Sequence, residues 1–236
     1  MIELDEVTVE AMRRAQPWLE VPASIGVYTR ADIGARTIQR LEDAFDASVN
    51  TQMRSQRGGN DASVISIRGV ANTAFGTDPT VAIYRDDVFV GNDATFNLTM
   101  VDLAQIEILR GPQGTLYGRN AIAGAVNVRS ALPEYGATYT LFDALFGTDM
   151  TLQGRAVLNA ALGRDMALRA VAFGDYADGW VTNAAYGGTY DGDTDGGGRV
   201  QLAARPSDRL ELLLSADYAT DQGRRGTRGP FGTVWQ

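Results

Sequence analysis

The hydrophobic pattern of the chain changes near Pro133. Beyond this residue, apolar and polar positions alternate with a period of two, which predicts β-strands. In residues 152–162, for example, Leu152, Leu158 and Leu162 share one face and Gln153, Arg155 and Asn159 share the other. The alternating segments are residues 138–146, 152–162, 168–175, 199–205 and 210–218. They predict about five antiparallel strands.

Before Pro133 the pattern mixes two periodicities. Residues 31–45 place Ile33, Ile38, Leu41 and Phe45 at spacings near three and four, which predicts an amphipathic helix with Asp32 as its N-cap. Short apolar runs around it predict strands at residues 23–28, 64–68, 81–84, 106–109 and 125–128. This part of the chain is expected to be a small α/β or α+β unit.

The strands beyond Pro133 fit two architectures. Short turns at residues 163–165 and 206–209, with long polar loops at the other strand ends, are typical of an outer-membrane β-barrel. A soluble meander or sandwich fits the alternation equally well. Bacterial barrels close with an even number of at least about eight strands, because an open edge in lipid leaves backbone groups unpaired. Five strands are therefore expected to be only the beginning of a barrel.

The composition removes most catalytic chemistries. The 21 basic side chains are all Arg, and the chain has no Lys, His or Cys. This excludes Ser-His-Asp and Cys-His nucleophiles, His/Cys metal sites and Lys Schiff bases. A carboxylate enzyme such as a glycosidase is the catalytic class that remains, but no feature selects a pair of acids. We therefore predict no catalytic residue and no cofactor.

Charge and segment length limit the partners further. The net charge of −8 argues against nucleic-acid binding, which needs a basic surface. No apolar run approaches the roughly 18 residues of a transmembrane helix, and the acidic first ten residues do not resemble a signal peptide. Residues 191–196 match the first half of a calcium-binding EF-hand loop, but Leu202 stands where the loop needs a bidentate Glu, so no metal site is predicted.

The most informative stretch is residues 102–128, DLAQIEILRGPQGTLYGRNAIAGAVNV. Its residues predict a strand, a break at Gly111-Pro112, a short turn or helix, and a glycine-spaced return into a second strand. The stretch resembles the plug-domain signature of TonB-dependent outer-membrane receptors. Residues 66–70 (SIRGV) and 81–88 (VAIYRDDV) resemble two further plug segments, and residues 6–11 (EVTVEA) resemble the TonB box that precedes the plug.

The resemblance implies a fold class and a division of the chain. The fold class is an α+β plug domain followed by antiparallel β-strands of a truncated transmembrane β-barrel. Residues 1–16 would be a leader with the TonB box, residues 17–132 the plug, and residues 136–236 the N-terminal part of the barrel. Barrels of this family have about 22 strands, so the chain would be the first part of such a receptor.

The resemblance also implies site residues. The TonB box would be a mobile extended segment that pairs with the C-terminal domain of TonB, and its residues are Glu6, Val7, Thr8, Val9 and Glu10. Arg68 and Arg110 match plug arginines that face glutamates of the barrel wall, on strands beyond this chain. Candidate ligand-binding residues in the loops at 71–79 and 91–97 are Phe75, Asp78, Asn92 and Phe96.

The function implied is import of a scarce nutrient, such as a ferric siderophore, across the bacterial outer membrane with energy from the TonB complex. The partners would be TonB, outer-membrane lipid and the imported small molecule. The alternative is a stand-alone soluble ligand-binding module with a plug-like fold. Two positions depart from the family pattern. Ala123 replaces the first Gly of a Gly-Gly pair, and Asp87 replaces a usual Gly, which predicts a type I turn that needs no positive φ.

Overall fold

The computed structural model describes residues 7–55, 63–71, 78–90, 100–148, 150–179, 181–182, 189–190 and 192–221. Contacts divide the chain into two compact units, and the boundary lies between Ser130 and Ala131. The first unit includes the leader together with the residues that follow it, so the leader packs as part of this unit.

The first unit contains ten strands and three short α-helices within the described residues. They are β1 (Thr8–Val9), β2 (Gln16–Pro17), β3 (Ser24–Thr29), α1 (Arg30–Ala35), α2 (Leu41–Asp46), β4 (Thr51–Ser55), β5 (Ser63–Ile67), β6 (Val70–Ala71), β7 (Val81–Arg85), β8 (Val88–Val90), β9 (Leu103–Arg110), α3 (Gly114–Tyr117) and β10 (Gly124–Ser130). A 3-10 turn at Trp18–Glu20 follows β2. The five strands predicted from apolar runs are confirmed as β3, β5, β7, β9 and β10.

A five-stranded sheet with the order β3-β9-β10-β7-β8 forms the centre of this unit. β10 is parallel to β7 and the other pairs are antiparallel. Since side chains alternate across a strand, Ile106 and Ile108 of β9 point to one face, and Glu107 and Leu109 point to the other. The first face packs on the core that includes Phe45, Ile65 and Ile67. The second face packs on Val9 and Ala11 of the leader.

The prediction of one continuous helix over residues 31–45 is wrong. Two helices, α1 and α2, replace it, because Thr37 adopts a left-handed backbone with φ 53° that ends the first. The predicted N-cap is also wrong: Thr29 caps α1, and Asp32 is the third residue of a capping box that accepts the Thr29 N–H at 3.0 Å. The hydrogen bonds from Thr29 lower the pKa of Asp32.

The turn at Asp86-Asp87 corrects a second prediction. Both residues have positive φ, 48° and 65°, so the turn is not type I. The connection between β7 and β8 has two residues, and such hairpins favour turns with left-handed residues because these match the strand twist. Asp tolerates this conformation. Asp86 is also fixed by its carboxylate, which accepts the N–H and the hydroxyl of Ser130 at 2.8 and 2.7 Å.

The second unit is built on one antiparallel sheet. Its strands are β11 (Tyr139–Phe146), β12 (Leu152–Ala161), β13 (Met166–Ala177), β16 (Asp193–Ser207) and β17 (Leu210–Asp221), in the order β11-β12-β13-β16-β17. The short strands β14 (Val181–Thr182) and β15 (Thr189–Tyr190) pair with each other. The prediction of about five alternating strands is confirmed.

The two faces of this sheet are inverted relative to a soluble protein. Polar side chains are buried on one face, where Arg169 and Asn159 are fully inaccessible and Arg199 and Gln201 nearly so. Arg169 donates to the Tyr139 hydroxyl at 2.8 Å. The other face exposes apolar side chains, among them Leu152, Leu158, Leu212, Leu214 and Tyr218. An exposed apolar face of this size indicates a surface made for lipid or a partner.

Within the described ranges, no helix is long and apolar enough to span a bilayer.

Candidate functional site: the docked leader

Residues 7–18, called the leader hairpin below, fold back on themselves. β1 pairs antiparallel with β2, with Thr8 opposite Pro17 and Val9 opposite Gln16. The N–H of Trp18 donates to the carbonyl of Val7 at 2.8 Å. One edge of the segment resembling the TonB box is therefore already paired. Thr8–Val9 is extended, as the resemblance implied, and is docked in this structure; the mobility of the segment stays a prediction.

The opposite edge of β1 meets side chains of the central sheet. Thr8 carbonyl accepts from Gln105 Nε2 at 3.2 Å, and the Glu10 N–H donates to Glu107 Oε1 at 2.9 Å. Both side chains project from β9. Backbone groups on both edges of the segment are thus engaged, one edge by the backbone of the hairpin and the other by the sheet.

A set of hydrogen bonds, called the Glu107 network below, joins the Glu107 carboxylate to the leader backbone through Asn127 and Tyr117. Asn127 Nδ2 donates to Glu107 Oε2 at 3.2 Å and to the Tyr117 hydroxyl at 2.6 Å. The Tyr117 hydroxyl in turn donates to the Ala11 carbonyl at 2.7 Å. Glu107 is 0% exposed, Tyr117 3% and Asn127 7%. Because buried polar groups need partners, the network fixes the backbone of Glu10 and Ala11 at two points.

The environment of the network shifts two pKa values. Burial raises the pKa of the Glu107 carboxyl, against the opposing effects of the Glu10 N–H, the Asn127 amide and the Arg129 charge. Burial likewise raises the pKa of the Tyr117 phenol, so this group stays a hydrogen-bond donor at physiological pH. The hydrogen bond to the Ala11 carbonyl depends on that donor.

Two arginines hold the leader hairpin on the plug, Arg13 within the hairpin and Arg129 on β10. The guanidinium carbon of Arg13 lies 4.5 Å from the ring centre of Tyr84 and 4.7 Å from that of Tyr117. Arg13 Nη1 also lies 3.0 Å from Asp87 Oδ1. Arg129 on β10 pairs with the carboxylate of Glu10. Cation–π and ionic contacts therefore add to the hydrogen bonds of the network.

Apolar packing completes the docking. Val9 and Ala11 are fully buried in a cluster with Ile25, Leu109 and Ala125. Sequence reasoning selected Val9 as a TonB-binding residue but missed the contribution of Glu107, Asn127, Tyr117 and Arg13. A signal was present, since Glu107 and Asn127 are polar residues inside apolar runs predicted as strands.

The two predicted plug–barrel arginines are brought close together. Arg68 starts the turn after β5 with φ 54°. Its side chain lies beside Gly111, since a Cβ on Gly111 would be 3.3 Å from Arg68 Nη1. Arg110 immediately precedes Gly111, and its Nη1 donates to the Val49 carbonyl at 3.0 Å. Arg110 Nε is buried and has no hydrogen-bond partner among the described residues. Their role as contacts to a barrel wall remains a prediction.

The predicted ligand-binding residues are mostly beyond reach of the structure. Phe75, Asn92 and Phe96 lie outside the described residues, as does Glu6 of the TonB box. Asp78 is described and exposed. In the parts of the chain that are described, no cluster of three or more His, Cys, Asp or Glu side chains has the geometry of a metal site.

Comparison with known proteins identifies the first unit. The model of the TonB-dependent Receptor Plug Domain family matches residues 18–125. These residues are a TonB-dependent receptor plug domain. Strands β3, β7, β8 and β9 and helices α1 to α3 lie within these residues, β10 begins at their end, and the leader hairpin begins before them. The resemblance of residues 66–70, 81–88 and 102–128 to TonB-dependent receptors is confirmed.

Relatives match part of the chain at moderate identity. The pesticin receptor of Yersinia pestis is 39% identical over 72 residues, which are 30% of this chain and 10% of that protein. The vitamin B12 transporter BtuB of Vibrio vulnificus is 30% identical over 134 residues, 55% of this chain and 21% of that protein. The chain therefore spans only a small part of the length of these receptors and transporters.

Solved structures match both the plug and the strands that follow. The ferric yersiniabactin uptake receptor FyuA of Yersinia pestis superposes with a TM-score of 0.76 at 22% identity, over 84% of this chain and 31% of that chain. The siderophore receptor PiuA from Acinetobacter baumannii gives 0.73 at 18% identity, over 93% and 29%. These likenesses concern the fold. The predicted fold class, a plug followed by antiparallel strands of an incomplete β-barrel, is confirmed.

Proposed function

We propose that the chain is the N-terminal part of an outer-membrane receptor that imports a scarce nutrient with energy from the TonB complex. The observation that carries the proposal is the plug domain at residues 18–125, preceded by the short strand Thr8–Val9. Plug domains belong to receptors, and a short strand before the plug offers a backbone edge to a partner.

The coupling step is strand addition. An extended segment can add to the edge of a partner sheet, with main-chain hydrogen bonds giving the affinity. Val7, Thr8 and Val9 are β-branched residues that favour the extended conformation. In this proposal the segment from Glu6 to Glu10 pairs with the C-terminal domain of TonB after it leaves the plug.

The imported ligand is proposed to be a ferric siderophore. Two of the similar structures are named a ferric yersiniabactin uptake receptor and a siderophore receptor. A vitamin B12 transporter is also similar, so cobalamin is the competing ligand class. The loops that contain Phe75, Asp78, Asn92 and Phe96 are proposed to contact the ligand. The proposed transport makes and breaks no bond in the ligand, which suits a chain that has no His, Cys or Lys.

The second unit is proposed to lie in the outer membrane. Its exposed leucines form an apolar face and its buried face carries Arg169, Asn159 and Gln201, the distribution expected of strands between lipid and a polar interior. Arg68 and Arg110 are proposed to contact the barrel wall. The soluble-module alternative would instead bury the leucines and expose the polar face.

An uptake assay tests the proposal. Iron-starved cells expressing the complete receptor that contains these residues would receive radioactive iron bound to each member of a siderophore panel. We expect accumulation with at least one siderophore, and its loss when the tonB gene is deleted or residues 6–10 are removed. Accumulation that survives both changes would contradict TonB dependence. Accumulation of labelled cobalamin, with no accumulation of iron from any siderophore, would show that the ligand is cobalamin and not a ferric siderophore.

A further inference from the structure

The plug contacts the same backbone groups that strand addition requires. In residues 7–10 the Val7 carbonyl faces the β2 side of the hairpin, whereas the Thr8 carbonyl and the Glu10 N–H face β9. A partner strand needs one complete edge, because its ladder bonds come from alternate residues. Both edges are occupied in the docked leader hairpin, so docking and strand addition exclude each other.

The two edges differ in what occupies them. The Val7 edge pairs with backbone of the hairpin itself, through Gln16, Pro17 and Trp18. The Thr8/Glu10 edge is bound by the side chains of Gln105 and Glu107. If the hairpin leaves the sheet as a unit, its internal pairing is kept and the Thr8/Glu10 edge becomes free. That edge is the one a partner can take without unfolding the hairpin.

Of these two side chains, Glu107 is the stronger anchor. Gln105 is partly exposed and neutral, and its contact at 3.2 Å is the longer one. Glu107 is completely buried, binds the Glu10 N–H at 2.9 Å and connects through Asn127 and Tyr117 to the Ala11 carbonyl. Hydrogen bonds to a carboxylate are stronger than those between neutral groups. Removing the carboxylate would disconnect Glu10 directly and weaken the contact to Ala11.

We propose that Glu107 is a positioning residue that sets how often the TonB box is available, by competing with the partner strand for the backbone N–H of Glu10. The proposal rests on the function proposed above, since it assumes that residues 6–10 are the segment that TonB takes. It adds a specific plug residue, ninety-seven positions from its backbone partner, as the determinant of access.

The absence of cysteine from the chain provides a direct assay. In a complete receptor whose cysteines outside these residues, if any, are replaced by Ser, a Val9→Cys substitution places a single thiol at a position that is 0% exposed when the hairpin is docked. Its rate of reaction with a maleimide, measured on the complete receptor in detergent, reports release of the hairpin independently of TonB. A Val81→Cys reporter, at a position that is 0% exposed in the core cluster on the other face of the central sheet, controls for general loosening of the plug.

Two second-site variants test the network. Glu107→Leu keeps a side chain of similar size and removes both acceptors, so labelling of the Cys reporter at position 9 should rise about tenfold or more. Tyr117→Phe keeps the ring that contacts Arg13 and Tyr84 and removes only the hydroxyl, so it is the variant less prone to misfold. It should raise the rate about threefold to tenfold. Labelling of the Val81→Cys reporter should stay unchanged in both.

Binding of the TonB C-terminal domain to the same proteins is the second readout. We expect its apparent affinity to rise by the same factor as the labelling rate, because a larger fraction of the receptor presents the free edge. Unchanged labelling in both variants would overturn the positioning role of Glu107. Faster labelling without any TonB binding, in parent or variants, would support the Glu107 contact as an anchor of the leader and overturn the assignment of the TonB box.

Discussion

The backbone N–H of Glu10 donates to the buried carboxylate of Glu107 at 2.9 Å, although the two residues are 97 positions apart. This contact links the leader to β9 of the central sheet. Together with the Tyr117 bond to Ala11 and the burial of Val9, it makes the leader part of the folded first unit. The predictions below follow from this docking and from the faces of the two sheets.

Arg13 should contribute measurably to docking. Its guanidinium contacts the rings of Tyr84 and Tyr117 and pairs with Asp87. Arg13→Ala should weaken docking by about 1 kcal/mol, which corresponds to roughly fivefold faster hydrogen exchange at the amides of Val9 to Ala11. Arg14→Ala is the matched control, since Arg14 is exposed and contacts Gln16. Equal acceleration in both variants would contradict the role of the Arg13 contacts.

Ionisation of Glu107 should destabilise the first unit. Burial raises the pKa of this carboxyl above its ordinary value of 4.5, so the folded state binds the proton more tightly than the unfolded state. Its contribution to stability is complete below pH 4.5 and is lost as the pH rises through the raised pKa of the folded state.

The Glu107→Gln variant lacks this titration. Its free energy of unfolding minus that of the parent should therefore increase from acidic to neutral pH. Urea unfolding of both proteins at several pH values measures the difference, in which all other titrating groups cancel to first order. A difference that stays flat or falls with pH would contradict the raised pKa.

Gly124 should resist substitution because β10 passes close to β9 there. A Cβ at this position would lie 2.3 Å from the Leu109 carbonyl oxygen and 2.7 Å from Ile67 Cδ1. Gly124→Ala should lower the free energy of unfolding by about 2–3 kcal/mol. Gly114→Ala is the control, since no heavy atom lies within 4 Å of its Cβ position and it begins α3. Urea unfolding should show little loss for this control.

The exposed leucines of β17 should be needed for membrane assembly. Leu214 is 69% exposed on the apolar face, and Ser215 lies on the opposite face of the same strand. Leu214→Arg should disfavour assembly in the outer membrane by about 2 kcal/mol or more, whereas Ser215→Arg should have a smaller effect. The fraction of receptor that is folded in the membrane can be measured by heat-modifiable migration in gels. A larger defect for Ser215→Arg would reverse the assignment of the faces.

Elements with a clear period could be predicted from the sequence. The five alternating strands after Pro133 and the apolar runs that form β3, β5, β7, β9 and β10 follow directly from side-chain alternation. The break between α1 and α2 could not be predicted, since it depends on a left-handed Thr37, a conformation that residue type does not indicate. The two left-handed aspartates of the β7–β8 turn were missed because hairpin length, not residue type, determines their conformation.

The candidate site was only partly predictable. The sequence indicated which segment resembles a TonB box, but it does not say which face of β9 that segment covers. Glu107 and Asn127 become neighbours only through the register of β9 and β10. The proximity of Arg68 to Gly111 likewise depends on the turn after β5. Such long-range contacts need the folded arrangement of the strands.

The central claim, that the segment from Glu6 to Glu10 is taken by TonB through strand addition, has a direct test. Peptides that contain these residues would be titrated calorimetrically into the TonB C-terminal domain. We predict that the parent peptide and Thr8→Ala bind, since both keep every backbone N–H, and that Thr8→Pro does not, because proline removes a ladder donor. Binding of the Thr8→Pro peptide with the parent affinity, or no binding of the parent peptide, would contradict the claim.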